Sequence, residues 1–245
     1  MMKRYFIDFA YDGTAYHGWQ IQPNGTSVQE VLQECLARLL RMPGLGVVGA
    51  GRTDTGVHAR HMTAHFDCET ELDCTQVAYR LNRMLPRDIS VYGLREVAPD
   101  MHARFSAVAR TYHYYIHTDK NPFLRHYSCR MHYDLDFALM NEAARHLLEV
   151  RDFGSFCKAG SDVKTTLCEV TEAEWVRDGE CAWHFRVTAN RFLRNMVRAM
   201  VGTLIDVGRH RITLEQFKDI VASGSRSSAG ESVPGNALFL EEVKY

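Results

Sequence analysis

The apolar residues of this chain change period in a fixed order, and that order narrows the folds open to it. Residues 4–10 carry the β-favouring pattern of a strand, and a turn-rich stretch follows over 12–25. Ser27-Val-Gln-Glu30 is then a capping box: Ser27 accepts from the Glu30 amide while Glu30 reaches back. The spacing predicts a helix from there to about Arg41, stopped by Pro43 and Gly44. Residues 47–50 and 61–68 read as strands bracketing a GRTDTG turn, Asp73 caps a second helix ending before Pro86, and 89–94 is a fourth strand.

The order strand, helix, strand, strand, helix, strand recurs from about Phe105. A strand is predicted over 107–117, then a basic loop, a helix over 137–149, and strands over 166–176 and 183–188 joined at Asp178-Gly179. Helices follow over 192–207, stopping at Gly208, and over 214–222, and a last strand over 237–243. The expectation is an α+β protein of two ferredoxin-like βαββαβ halves, residues 1–104 and 105–245. Their mixed or antiparallel sheet has helices on one face, with a cleft between the halves. The other sheet face is left open, as in RNA-recognition modules.

At 46% apolar and 24% charged residues, all 245 positions are expected to be globular. Lys3 and Arg4 precede an apolar stretch, but Asp8 and Asp12 break it before a signal-peptide core forms, and no run reaches the roughly 20 apolar residues of a membrane span. Seven cysteines without a CxxC pair suit free thiols, so a cytoplasmic protein is expected. The net charge is only −1, so any nucleic-acid surface must be local. Two segments qualify. Residues 101–132 hold five Lys or Arg against one acid, and 186–211 hold six Arg against one acid, net +4 and +5. Either alone reads as a solvated face.

Several motifs offer chemistry. Gly44-Leu-Gly46-Val-Val-Gly49 matches the dinucleotide fingerprint by spacing but follows a helix and opens a strand, the reverse of what that fingerprint needs, and no P-loop exists. His58, His61 and His65 invite a metal, yet no nearby Cys completes a tetrahedral set, so no metal site is expected. The segment 49–56, GAGRTDTG, sets Arg52 and Asp54 two residues apart in a glycine-rich turn. Most turn aspartates bond their own backbone. Small neighbours, however, let a planar substrate approach, and Arg52 favours an ionised, nucleophilic Asp54. Over 192–207, Phe192, Met196, Met200 and Leu204 predict a packed stripe, and Arg191, Arg194 and Arg198 a basic face for solvent or phosphate. The strand Arg110-Thr-Tyr112-His-Tyr114-Tyr115 alternates cationic and aromatic residues. Tyr112 and Tyr114 share a face, where stacking on a base and ordinary cross-strand packing are both open.

In order along the chain, Tyr11-Asp-Gly, Tyr16-His-Gly-Trp-Gln20, Ser27-Val-Gln29, GAGRTDTGVHA, Leu81-Asn82, Leu85-Pro86, Asp88-Ile89, His102-Ala-Arg104-Phe105, Arg110-Thr-Tyr112, Phe192-Leu193, Met196-Val197-Arg198 and Val201-Gly202 resemble the bacterial tRNA pseudouridine synthase A family. The resemblance covers nearly the whole chain. It implies a tRNA-modifying isomerase that turns uridine into pseudouridine at positions 38, 39 and 40 of the anticodon stem-loop. It implies Asp54 as catalytic nucleophile and Arg52, Tyr112 and Arg198 as substrate-binding residues, with no cofactor or metal, tRNA as partner and a homodimer. Cys168, where many relatives have arginine, and Ala237, where glycine is usual, depart from the pattern. Two rival readings remain: an RNA-binding protein without catalysis, in which Asp54 is a turn residue, and a metal hydrolase built on the three histidines.

Overall fold

A computed structural model describes residues 2–161 and 163–245. The chain forms two compact units, Met1–Val108 with Phe239–Tyr245, and Ala109–Leu238.

In the first unit the predicted order appears: β1 (Lys3–Tyr11), α1 (Val28–Leu40), β2 (Val48–Gly49), β3 (His58–Cys68), α2 (Cys74–Met84) and β4 (Ile89–Val97). β1 lies antiparallel between β4 and β3. β2 takes part of the remaining edge of β3, antiparallel. This is the ferredoxin-like order. The last strand, β9 (Leu238–Lys244), takes the rest of that edge, running parallel and pairing His58 with Phe239 and Ala59 with Leu240. Tyr5, Ile7 and Phe9 are register partners of Phe66, Ala64 and Met62, and all six are buried. The alternate β1 residues Arg4, Phe6 and Asp8 face Asp67, His65 and Thr63. There Arg4 grips Asp67 with two bonds of 2.8 Å, and Asp8 accepts from Thr63 at 2.6 Å and pairs with Arg95.

The capping boxes and stops explain where the helices lie. Ser27 accepts from Glu30 N at 3.2 Å and Glu30 returns to Ser27 N at 3.3 Å. α1 ends one residue earlier than Pro43 and Gly44 require, because Arg41 adopts the left-handed conformation (φ 56°) and Met42 N closes the turn on Ala37 O at 2.9 Å. Asp73 caps α2 by accepting from Gln76 N at 3.0 Å.

The second unit holds β5 (Ala109–His117), β6 (Cys129–Arg130), α3 (Phe137–His146), β7 (Val170–Arg177), β8 (Ala182–Ala189), α4 (Met196–Gly208) and α5 (Leu214–Ala222). β8 lies antiparallel between β5 and β7, and β6 runs parallel to β5. β7 starts four residues later than the pattern suggests, and α3 ends three residues sooner, Leu147 to Glu149 forming a turn.

The helix predicted over 192–207 needs correction. It begins at Met196, because Asn195 sits at φ 67°, a conformation no helix interior accepts. Of the three arginines only Arg198 is on α4. Every α4 residue except Arg198 and Asp206 is buried, so the expected basic face does not exist. A Cβ on Gly202 would stand 1.8 Å from Glu231 O, which shows how closely the 230–233 segment presses on this helix. The mixed α+β class stands in both units, and among the described residues no helix is long and apolar enough to cross a membrane.

Candidate active site

In the first unit Asp54 lies half-buried in the loop joining β2 to β3, and the Tyr11 to Trp19 segment holds that loop from behind. Tyr11 Oη bonds Thr53 Oγ1 at 2.9 Å, Trp19 N donates to Thr53 O at 3.4 Å, and Gly56 N donates to Tyr16 O at 3.3 Å. Within the loop Val57 N donates to Asp54 O at 3.2 Å, closing a turn over Asp54, with Gly56 at φ 77°.

Glycine makes this clamp possible. A Cβ on Gly13 would meet Val57 O at 2.0 Å, and one on Gly18 would meet Thr53 O at 2.2 Å. Gly18 also needs φ 82°, a left-handed conformation that side chains rarely adopt. Gly49 lies under the Trp19 ring, which a Cβ there would strike at 2.5 Å. Gly13 N donates to His58 Nδ1 at 3.0 Å, and Tyr16 Oη donates to Asp88 Oδ1 at 2.7 Å. Burial, then the bond to Asp88, pushes the Tyr16 phenol above its ordinary range, so Tyr16 stays a protonated donor.

Arg52 is exposed. The expected neighbour in sequence is therefore turned to solvent. The three histidines of β3 sit in separate settings. His58 is buried under the Gly13 amide, and its ring stacks on Phe239 at 4.4 Å. His61 is half-exposed, 3.8 Å from Asp8. His65 accepts from Ala103 N at 3.1 Å. Burial, helped by His102 and Arg4, pushes the His65 imidazole down to about 4. Among the described residues no group of three or more His, Cys, Asp or Glu is arranged to hold a metal ion.

In the second unit the two tyrosines that share a face of β5 part company. Tyr114 is fully buried and serves the core, whereas Tyr112 is half-buried with its ring edge-on to Phe192 at 5.0 Å. Arg198, half-buried on α4, donates from Nε to Val233 O at 2.7 Å, and Val233 N returns to Arg198 O at 3.2 Å. The first of these bonds holds its guanidinium against Val233. Of the other arginines in the basic segments, Arg186 pairs with Glu172 and Glu174, Arg211 lies 3.6 Å from Asp206, and Arg194 is exposed.

The profile of the tRNA pseudouridine synthase family matches residues 9–106 and 143–245, which carry the Asp54 loop, its clamp and Arg198. The chain is also 57% identical to tRNA pseudouridine synthase A of Bacteroides thetaiotaomicron, over 100% of this chain and 91% of that protein. With the Bacillus subtilis protein of the same name it shares 39% identity over 96% of each. The chain belongs to the tRNA pseudouridine synthase A family. It is therefore a tRNA pseudouridine synthase, an isomerase of uridine.

The supporting shell of this synthase is what reading the sequence for chemistry missed. Tyr11, Gly13 and Gly18 stand in the motifs Tyr11-Asp-Gly and Tyr16-His-Gly-Trp-Gln20 that carry the family resemblance, but nothing local to those motifs shows that they brace the Asp54 loop. Cys168 is buried, and burial lifts its thiol to about 11, so it is a packing residue here. Ala237 is fully buried in a short 3-10 turn before β9.

Proposed function

We propose that this synthase isomerises uridines in the anticodon stem-loop of tRNA, with Asp54 as nucleophile and without a cofactor. The observation that carries the reading is the clamp. A half-buried carboxylate stands in a turn whose backbone is tied to Tyr16 and Trp19 and whose Thr53 side chain bonds Tyr11, which pre-positions Asp54.

The reaction breaks the bond between C1′ and N1, turns the uracil and forms a bond between C1′ and C5. N1 gains a proton and C5 loses one, so the oxidation state is unchanged and no redox partner is needed. An ionised carboxylate can open this sequence by attack on C1′, by addition to C6, or by promoting elimination on the sugar. The reading is common to all three. The target base must leave its stack at a cost of a few kcal/mol, which calls for an aromatic support. Tyr112, braced edge-on by Phe192, is assigned that role and a part in removing the C5 proton. Arg198, with its Nε bonded to Val233 O, is assigned to binding the tRNA substrate, and exposed Arg52 takes a tRNA phosphate. A homodimer in the cytoplasm, where seven free thiols stay reduced, completes the reading.

The test uses unmodified tRNA carrying tritium at uridine C5, because isomerisation must release that label to water. Wild-type protein releases it, and mapping places the products in the anticodon stem-loop. Asp54→Asn binds the same tRNA within a few-fold and releases none. An Asp54→Asn protein that still makes pseudouridine removes Asp54 as nucleophile.

A further inference from the structure

Phe123 is 86% exposed, the largest value for any big apolar side chain among the described residues. It stands in a stretch, 120–133, that has Lys120, Arg125, Arg130, His126 and His132 and no acid. An exposed ring in a neutral loop would be unremarkable, but its position here is built. Asn121-Pro122-Phe123-Leu124 is a turn with proline at its second position, where φ is already set. Leu124 N donates to Asn121 O at 3.3 Å, and the Asn121 side chain accepts from Phe123 N at 2.9 Å.

The base of the loop is anchored as firmly. Ser128 N donates to Leu124 O at 2.9 Å, Ser128 Oγ bonds buried His117 Nδ1 at 2.8 Å, and Met131 N donates to His117 O at 2.8 Å. Asp119, beside Lys120 in sequence, accepts from the Cys181 thiol at 3.2 Å, outside the acid-free run. The loop therefore spends its polar groups on presenting a phenyl ring outward among cations.

We propose that Phe123 is a stacking platform for an unpaired tRNA base away from the reacting uridine, with Lys120 and Arg125 holding the phosphates beside it. The inference rests on the reading that the chain acts on tRNA, and charge complementarity selects the partner. An acid-free cationic loop fits a phosphate backbone, and every base has a face that stacks on an aromatic ring. The ring contributes contact at fixed salt, and the cations contribute salt-dependent attraction.

The experiment measures tRNA affinity of the full chain against salt, with tritium release as the activity readout. Phe123→Ala weakens binding by about 5- to 100-fold at fixed salt, leaves the slope of log affinity against log salt unchanged, and keeps thermal midpoint and solution mass at wild-type values. Phe123→Trp restores binding, and its added fluorescence is quenched by tRNA. Arg125→Ala instead lowers the slope by about one. Wild-type affinity in Phe123→Ala overturns the inference while leaving the catalytic reading intact. A Phe123→Ala protein with altered solution mass and unchanged affinity also overturns it, assigning the ring to contact between two copies. Failure of the wild-type protein to release tritium overturns the catalytic reading, on which this inference rests.

Discussion

Asp54 differs from the many aspartates that sit in turns because its neighbours spend their own bonds on the backbone around it. One of these contacts depends on Gly18, which combines φ 82° with an approach to Thr53 O that leaves no room for a Cβ. Gly18→Ala must therefore either strain its own backbone, at about 1–3 kcal/mol, or push the Thr53-Asp54 peptide away. The expected outcome is at least a tenfold fall in kcat with tRNA affinity nearly unchanged, since a displaced carboxylate affects the reaction more than binding. Single-turnover tritium release measures the first quantity and filter binding the second. Equal loss in both would assign Gly18 to tRNA binding instead. Residue types at 52, 54, 112 and 198 were legible as candidates. Their surroundings were not. The solvent-turned side chain of Arg52 and the contrast between buried Tyr114 and half-buried Tyr112 depend on backbone segments far apart in sequence.

At the scale of elements, the capping signals were the most readable part of the chain because a cap is a local event. Ser27, Asp73 and Thr213 each accept from the backbone amide three residues on, as their sequence contexts allow. Ser27 is also fully buried, so its replacement leaves an amide unsatisfied away from water. Ser27→Ala is expected to lower stability by about 1–2 kcal/mol, seen as a lower urea midpoint with an unchanged slope, while Ser27→Asp recovers part of the loss. α4 shows where periodicity fails. Its stripe of Met196, Met200 and Leu204 is buried as predicted, but so is almost everything between. A helix enclosed on all sides carries no amphipathic signal, and Gly202 against Glu231 O is a tertiary contact that no local pattern announces.

Across the whole molecule, acid should weaken the fold through His65. Burial depresses its pKa from an ordinary 6.5 to about 4, so the unfolded chain binds its proton first. Stability contributed by the neutral, buried ring is complete above about pH 6.5 and is lost as pH falls toward 4. His102 and His117, also depressed by burial, act in the same direction. Urea midpoints taken between pH 4 and 7 should rise through this window, and His65→Gln, which can still accept from Ala103 N, should flatten the rise. An unchanged profile in that variant would move the effect to the other histidines. The net charge of −1 hides the division of labour in this molecule: a chain with no overall pull on RNA concentrates its acid-free, cationic stretch in one anchored loop of the second unit.

By itself the amino-acid sequence determined the order of strands and helices apart from the short β6, the caps that start several helices, the α+β class, and through an ordered series of motifs the family and its candidate nucleophile. These are set by local hydrogen bonding and by side-chain period, which a few neighbouring residues contain. Tertiary structure decided which segments meet. It put the turn-rich Tyr11 to Trp19 stretch behind Asp54, seated β9 beside β3, enclosed α4 and turned Arg52 outward. Such contacts join residues dozens of positions apart, and their geometry follows from packing rather than from any pattern along the chain. Asp54 was thus readable as a residue type, whereas the clamp that holds it exists only once the chain is folded.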